Sequence, residues 1–236
     1  MKILAIETST TACSVAICDE NKVYSAVYSN FALKHSEKLM PMVDEALRLV
    51  ELKIDDIDCF AVSKGPGSFT GLRISSATVK AFSQALDMPL VSVDTLSCLA
   101  YGCGYFDGII CPILDAQQTR VYYSIYENSV DVNSLVEPKD LDINELLEHL
   151  NAEDKKIMFC GDAVLKYKCK IVEILGNRAN FASIDRMLPK AEIVAVLGLH
   201  KAIGEEYEDY NTFAPLYIRK SEAEATLDEK NASKNN

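Results

Sequence analysis

The chain has 236 residues, of which 49% are hydrophobic and 25% are charged. These proportions are typical of soluble globular proteins, so they exclude global disorder and leave room for one large or two small domains. With 24 Lys and Arg against 35 Asp and Glu, the net charge is −11, which excludes strong binding of nucleic acid through the overall electrostatic field.

The first third of the chain predicts alternating strands and helices. Short apolar runs bounded by turn residues predict strands at 3–6, 13–18, 23–28, 57–63 and 90–93. Helical spacing of apolar residues predicts helices at 39–50 and 72–86. We expect the first helix to begin at Ser36, a favourable N-cap, so that Pro41 either delays its start or bends it.

The opening apolar run is only six residues long and ends at Glu7. A signal peptide needs a longer apolar region with a cleavage site, and a membrane-spanning helix needs roughly 20 apolar residues. We therefore expect a cytoplasmic protein with no membrane contact. The eight cysteines include no C-x-x-C pair, so we interpret them as reduced core residues.

The pattern of the N-terminal segment returns later in the chain. An apolar strand at 109–114 is followed by Asp115, a polar turn at 116–120 and a strand at 121–126. The first segment likewise has a strand, then Glu7, a Thr/Ser turn and a second strand. The offset of about one hundred residues favours a duplicated domain over a solenoid. Two unrelated hairpins remain the alternative.

The remaining elements complete two lobes. One helix is predicted at 143–150, a second begins after the N-cap Asp162, and a third runs from 192 to a cap at Gly204. Strands are predicted at 156–160 and 213–218. We assign 1–100 to a first lobe, to which 206–219 returns, and 101–205 to a second, with a weak boundary between Thr95 and Gly108. The polar segment 220–236 is expected to be a disordered tail.

Four residues are candidates for binding a cofactor, namely Glu7, Thr8, Gly67 and Asp115. Gly67 belongs to a glycine-rich loop at 65–71 between a strand and a helix, where main-chain N–H groups can bind an anion. The loop lacks a Walker A pattern, and a tight packing turn is the alternative. The two acids could hold a magnesium–nucleotide or do acid–base chemistry, or they could simply bind turn amides.

Several catalytic signatures are missing. The three histidines include no pair at i, i+4, which excludes a zinc-protease helix of the H-E-x-x-H type. There is also no G-x-S-x-G elbow. By contrast, the predicted helix at 39–50 has an apolar surface wider than one sheet requires, and the helix at 72–86 is rich in small residues. These faces suit either a protein partner or burial under the second lobe.

Three strings of residues resemble the bacterial TsaB (YeaZ) family: the N-terminal MKILAIETST, HSEKLMP at 35–41 and GPGSFTGLRI at 65–74. Further matches are Asp115-Ala116, Gly161-Asp162 and APLYIR at 214–219, whereas Ser75 and Ala163 depart from the family pattern. The resemblance implies an α/β, actin/Hsp70-like (ASKHA) fold with two related lobes, each a mixed sheet flanked by helices. It also implies a role in making N6-threonylcarbamoyladenosine at position 37 of tRNAs that read ANN codons.

The resemblance implies a subunit without catalytic residues, metal or cofactor. The paralogous TsaD transferase carries two metal-binding histidines after the strand that corresponds to 90–93, and Thr95 and Leu99 stand there in this chain. A hydroxyl and an isobutyl group cannot form that site. The chain also lacks a Gly-Gly dipeptide of the kind that ASKHA proteins commonly place near adenosine. The alternatives are an ASKHA-type ATP-dependent phosphotransferase or ATPase, a metalloprotease, and a stand-alone tRNA-binding module.

The same resemblance implies the partners. We expect a heterodimer with a TsaD-like paralogue, a TsaE-like ATPase that joins them, a homodimer when the chain is alone, and tRNA contact only through the complex. The two helices would pair with their equivalents in a four-helix bundle, so Val43→Glu or Ala77→Glu should abolish pairing. The expected interface residues are Leu39, Met40, Val43, Leu47, Leu72, Ser75, Ala77, Val79 and Phe82.

Overall fold

A computed structural model describes residues 1–31, 34–127 and 134–219. In these residues the strands form two five-stranded mixed sheets. The first sheet has the order β3-β2-β1-β4-β5. Its strands are β1 (Ile3–Glu7), β2 (Cys13–Cys18), β3 (Val23–Ser29), β4 (Cys59–Gly65) and β5 (Leu90–Asp94). The first three strands form an antiparallel meander, and β4 and β5 extend it in parallel with β1.

The second sheet repeats this arrangement with the order β8-β7-β6-β9-β10. Its strands are β6 (Ile109–Asp115), β7 (Arg120–Tyr126), β8 (Ser134–Asp142), β9 (Ile157–Cys160) and β10 (Ala179–Phe181). Again a three-strand antiparallel meander is extended by two parallel strands. The identical order and strand directions confirm the predicted duplication, because two unrelated hairpins would not share them.

Helices cover the faces of the sheets, which explains why the strands are so apolar. They are α1 (His35–Arg48), α2 (Phe69–Leu86), α3 (Thr95–Cys103), α4 (Ile143–Asn151), α5 (Ala163–Leu175) and α6 (Ala191–Ile203). Alternate residues of β1 point to opposite faces, so Leu4 and Ile6 pack with α1 and α2 while Ile3 and Ala5 pack with α6. Both faces are covered, and every residue of β1 is buried.

Helix α6 falls in the range that we expected in the second lobe, but it packs against the first sheet. Gly198 allows the contact, since a Cβ there would lie 2.8 Å from the Ala61 Cβ and 3.2 Å from the Val91 Cγ2. Helix and sheet therefore approach more closely than a side chain permits. The expected range 101–205 for the second lobe thus includes a helix that completes the core of the first sheet.

The segment 206–219 contacts the edge of the first sheet, and the predicted strand at 213–218 is wrong, because no strand is observed there. Glu208 bridges Leu90 at the edge of β5, and the N–H of Leu216 donates to Lys64 O at 2.6 Å. Phe213 is buried in the core between the sheet and α1 and α2. Pro215 supplies no N–H, so isolated hydrogen bonds replace a strand ladder. The expected disordered tail 220–236 lies outside the described residues.

Three other differences concern element boundaries. Helix α1 begins at His35 rather than Ser36, its N-cap Lys34 makes no side-chain capping bond, and Pro41 lies inside the helix. The predicted weak boundary after Thr95 contains α3, which Asp94 caps by accepting a hydrogen bond from Ser97 N at 2.8 Å. Strand β8 was not predicted, because its residues lie at a sheet edge and alternate only between exposed and half-buried positions.

Among the described residues, no helix has both the length and the apolar character that crossing a membrane requires.

Candidate functional site

Glu7 ends β1, and its carboxylate is completely buried. It accepts hydrogen bonds from Ser9 N and Ser9 Oγ, both at 2.5 Å, and from the hydroxyl of Ser63 on β4. Burial raises the pKa of Glu7, while these hydrogen bonds act in the opposite direction. The carboxylate therefore holds the first turn and the neighbouring strand together and presents no atom to a ligand in solution.

The glycine-rich loop packs against the same turn. Ser68 N donates to Ser9 O at 2.7 Å, and Thr8 Oγ1 donates to Gly71 O at 2.8 Å. A Cβ on Gly67 would collide with the main chain of Ser9, and one on Gly71 would collide with the carbonyl oxygen of Thr8. The glycines thus allow the start of α2 to lie directly on the β1–β2 turn. This geometry matches the packing-turn interpretation of the loop.

Asp115 occupies the corresponding position in the second sheet, but its surroundings differ. Its carboxylate is exposed, pairs with Lys166 Nζ at 3.0 Å and accepts a hydrogen bond from Gln117 N at 3.1 Å. Its own N–H donates to Asp162 Oδ1 at 2.9 Å. Asp162 stands at the N-cap position of α5 but makes no capping bond there. Because Glu7 is enclosed and Asp115 faces solvent, the two acids do not form one site.

Asp94, the N-cap residue of α3, was overlooked as a candidate in the sequence. Asp94 uses Oδ1 to cap the helix, but Oδ2 is buried without a hydrogen-bond partner in the described part of the chain. Burial raises the pKa of Asp94. The signal was present, since Asp94 follows an apolar strand as Glu7 and Asp115 do.

Thr95 and Leu99 are both buried in α3. The Thr95 hydroxyl likewise has no partner among the residues described. In residues 1–31, 34–127 and 134–219, no group of three or more His, Cys, Asp or Glu side chains is placed to hold a metal ion. The position that carries histidines in the expected paralogue is therefore filled here by side chains packed into the core.

A cavity of about 300 Å³ opens between α3, the start of α6 and the turn at 184–186. Its lining combines charged side chains with residues of α3, including Tyr101, Arg186, Lys190 and Glu192. None of the four cofactor candidates from the sequence lines it. His35 lies outside this cavity as well. Its Nε2 is 2.9 Å from Thr10 O, and this contact joins α1 to the first turn.

The expected partner interface needs correction. Six of its nine residues are buried within the chain itself: Leu39, Val43, Leu47, Leu72, Ser75 and Val79. Phe82 is half-buried and stacks on Phe60 with ring centroids 5.4 Å apart. Their side chains fill the core between α1, α2 and the sheet, because the amphipathic face of each helix packs inward. Only Met40 and Ala77 of the expected set are exposed.

Three kinds of comparison place the chain among known proteins. The family model for TsaD, described as tRNA N6-adenosine threonylcarbamoyltransferase, matches residues 27–227. The tRNA threonylcarbamoyladenosine biosynthesis protein TsaB of Bacillus subtilis is 32% identical over 226 residues, which cover 95% of this chain and 97% of that protein. The solved structure of YeaZ from Pseudomonas aeruginosa has a TM-score of 0.75 at 26% identity and covers 92% of this chain and 99% of its own.

A shorter match links the chain to a transferase. The tRNA N6-adenosine threonylcarbamoyltransferase of Kosmotoga olearia is 37% identical over 111 residues, 41% of this chain and 34% of that protein. Together with the repeated sheet order, the YeaZ likeness confirms the expected actin/Hsp70-like fold. Because the alignment to Bacillus subtilis TsaB spans nearly the whole of both proteins, the chain belongs to the TsaB (YeaZ) family and is related to the TsaD transferases.

Proposed function

We propose that this chain is a non-catalytic subunit in the synthesis of N6-threonylcarbamoyladenosine on tRNAs that read ANN codons, and that it binds and activates a TsaD-like transferase. The relatives named for this modification support the pathway. In this proposal a TsaE-like ATPase joins the pair, the chain forms a homodimer when alone, and tRNA is contacted only through the complex.

The observation that carries the proposal is the closed turn after β1. Thr8, Ser9 and Thr10 are each at most 3% exposed, and Glu7 is fully buried. In a phosphate-handling site these polar groups would have to face the ligand. Here Glu7, Thr8 and Ser9 bind one another, Ser63 and the glycine-rich loop, and the Thr10 hydroxyl accepts a hydrogen bond from Ala12 N. This arrangement supports a subunit without its own reaction and counts against the ATP-dependent phosphotransferase alternative.

The outer surface of α1 and α2 supports a partner contact. Ala77, Ala81 and Ala85 are exposed at intervals of four residues, so they form a strip of small side chains along α2. On α1, Met40 is 44% exposed. Small side chains let a second helix approach closely, and an exposed methionine adapts to varied apolar surfaces. We therefore place the TsaD contact on this strip instead of on the buried residues first expected.

The activation itself is a change in the population of TsaD states. A subunit that binds one arrangement of the TsaD lobes more tightly than another shifts TsaD toward that arrangement. No residue of this chain then needs to touch the reacting atoms. The two pseudo-equivalent helices of a paralogue would also let two copies of this chain meet through the same strip.

The test compares Ala77→Glu with Ala152→Glu, which makes the same change at an exposed site after α4. Each variant is mixed with the TsaD-like paralogue and analysed by size-exclusion chromatography with light scattering. Threonylcarbamoyl transfer to tRNA is then measured with the TsaE-like ATPase and threonylcarbamoyl-adenylate. We expect Ala77→Glu to weaken pairing by about tenfold or more and to lower transfer, because it buries a charge in the contact.

The control variant Ala152→Glu should pair and support transfer as the unchanged chain does. Full pairing and transfer by Ala77→Glu would rule out this surface. Transfer by the purified chain without the paralogue would rule out the non-catalytic role.

A further inference from the structure

The outer face of α2 carries one charge towards each end. Arg73 is exposed in the first half of the helix, and Asp87 is exposed at its C-cap position. The two are close to four helical turns apart, so they lie on the same face of α2 as the exposed Ala77 and Ala81. In residues 1–31, 34–127 and 134–219, neither side chain forms an ion pair.

Contacts within the chain hold the Arg73 guanidinium over the first turn of α2. Its Cζ lies 3.9 Å from the centroid of the Phe69 ring, and its Nε donates to Tyr217 Oη at 3.3 Å. The two rings also pack against each other, with centroids 4.8 Å apart. Because Arg73 is already ordered by these contacts, it loses little side-chain freedom when it binds an acid, and its remaining N–H groups stay available as donors.

The positions of the two charges fit an antiparallel pairing of α2 with α2 of a second copy. In a two-fold contact of this kind, residues at equal distances on either side of the midpoint meet each other. Position 78 is midway between Phe69, which holds the guanidinium, and Asp87. The midpoint of Ala77 and Ala81 is the adjacent position 79. One register therefore brings the small side chains together and places each guanidinium beside an Asp87 carboxylate. A parallel pairing would instead oppose like charges at both ends.

We propose that Arg73 and Asp87 form two symmetric intermolecular ion pairs, which fix two copies of this chain in an antiparallel α2–α2 register. The inference rests on the homodimer of the proposed function and adds its register and the residues that determine it. The occupant of this face is a second copy, because one chain carries both of the complementary charges at the positions that a two-fold contact requires. By symmetry each ion pair occurs twice, so a single substitution alters both.

The experiment is a charge exchange, read by sedimentation equilibrium of the full chain. Arg73→Glu and Asp87→Lys should each weaken the homodimer by about tenfold or more, because each places like charges at both ends of the contact. The double variant, Arg73→Glu with Asp87→Lys, should restore dimerisation. Asp87→Lys is the sharpest case. It makes each acidic chain less negative, so a dimer limited only by overall repulsion would become tighter rather than weaker.

Lys168→Glu is the matched control. Lys168 is an exposed cation on α5 whose Nζ also lies over an aromatic ring, 5.0 Å from the Phe181 centroid. Its reversal should leave the dimer unchanged.

Cross-linking tests the register without altering either charge. Cys169→Ser first removes the exposed native cysteine. Chains that also carry Ala77→Cys are then mixed with chains that carry Ala81→Cys and are oxidised with copper phenanthroline. We expect the mixture to form an intermolecular disulfide faster than either variant alone, because position 77 of one copy faces position 81 of the other. Faster cross-linking of either variant with itself would overturn the register.

The remaining outcomes separate this inference from the proposed function. A double variant that stays monomeric, or an Asp87→Lys dimer that is tighter than the unchanged one, would reject the ion pairs. So would an unchanged chain that never dimerises, or single variants that dimerise normally but lose only the TsaD-like paralogue. Pairing with that paralogue and threonylcarbamoyl transfer are measured on the unchanged chain. Normal values there would leave the partner role standing while the register fails.

Discussion

Ser63 on β4 donates a hydrogen bond to the carboxylate of Glu7 on β1, although that carboxylate is completely shielded from solvent. The two strands are parallel neighbours, and the contact lies at their carboxyl ends. A position that could bind ligands in this fold is used here to join two strands. Because the buried acid titrates with an altered pKa, its contribution to folding depends on pH.

Replacing Glu7 by Gln should change the pH dependence of stability. Burial raises the pKa of Glu7 in the folded chain above its ordinary value of 4.5, so between these values the folded state binds more protons than the unfolded state. The contribution of Glu7 to the free energy of unfolding is fully present below pH 4.5, and it is lost as pH rises through the raised pKa. Relative to Glu7→Gln, the unchanged chain should gain stability as pH falls from 7 to 5, as measured by urea unfolding.

Glu45→Gln provides the control for this titration. Glu45 is exposed, and its hydrogen bonds to Arg48 lower the pKa, so its contribution has the opposite sign. An equal pH dependence for the unchanged chain and Glu7→Gln would show that Glu7 has the same pKa in the folded and unfolded states.

Gly198→Ala should destabilise the first lobe. The new methyl group would meet Ala61 and Val91 closer than side chains normally approach, so α6 must move away from the sheet. Overpacking of this kind costs about 1–3 kcal/mol. Gly102→Ala is the matched control, because it is also helical and its Cβ would have only one neighbour, at 3.8 Å. It should be neutral or stabilise by up to about 1 kcal/mol; equal effects in denaturant unfolding would contradict the close-packing argument.

Arg219→Ala should loosen the turn between β6 and β7. The guanidinium of Arg219 donates to Ala116 O and lies 3.7 Å from Asp140, while the nearby N–H of Leu216 is bound to Lys64 O in the first lobe. We expect a loss of about 0.5–1.5 kcal/mol and faster amide hydrogen exchange at 116–120. Arg48→Ala removes only an exposed pair with Glu45 and should leave exchange in this turn unchanged. Unaltered exchange in Arg219→Ala would show that the contact does not hold the turn.

Val43→Glu should destabilise the folded chain, whereas Met40→Glu, on the outer surface of α1, should not. Val43 is 1% exposed in the core, and an unpaired buried charge costs about 3–5 kcal/mol. Met40 lies on the outer surface, where a substitution usually changes stability by less than about 0.5 kcal/mol. Urea unfolding should therefore show a large loss for Val43→Glu only. Similar stabilities for both variants would mean that Val43 is not part of the folded core.

The element order was largely predictable because strongly apolar runs have to be buried. The strands at 3–6, 13–18 and 109–114 were identified near their observed bounds, since each is buried on both faces. Helix α3 and strand β8 were missed for different reasons. Helix α3 was missed because Gly102 and Gly104 suggested a boundary between the two lobes. Strand β8 was missed because it shows the weak alternation of an edge strand. The late strand at 213–218 was predicted from composition, although Pro215 cannot join a ladder.

The candidate site was less predictable, because one sequence pattern has two outcomes. Glu7 and Asp115 both follow an apolar strand, yet one is enclosed by Ser9 and Ser63 and the other pairs with Lys166 in solvent. Six of the nine residues expected in the partner interface are buried in the chain itself for a related reason. Helical spacing identifies an apolar face. It does not distinguish a face that packs on the chain's own sheet from a face that binds another protein.

The sequence by itself determined the duplicated strand–acid–turn–strand pattern and the absence of paired histidines, because apolar periodicity and residue identity are local properties. Only the tertiary structure decided that Glu7 is buried and that Val43 belongs to the core. These facts depend on contacts between residues far apart in the chain, and such contacts are fixed by how helices pack on sheets once both faces of each sheet must be covered.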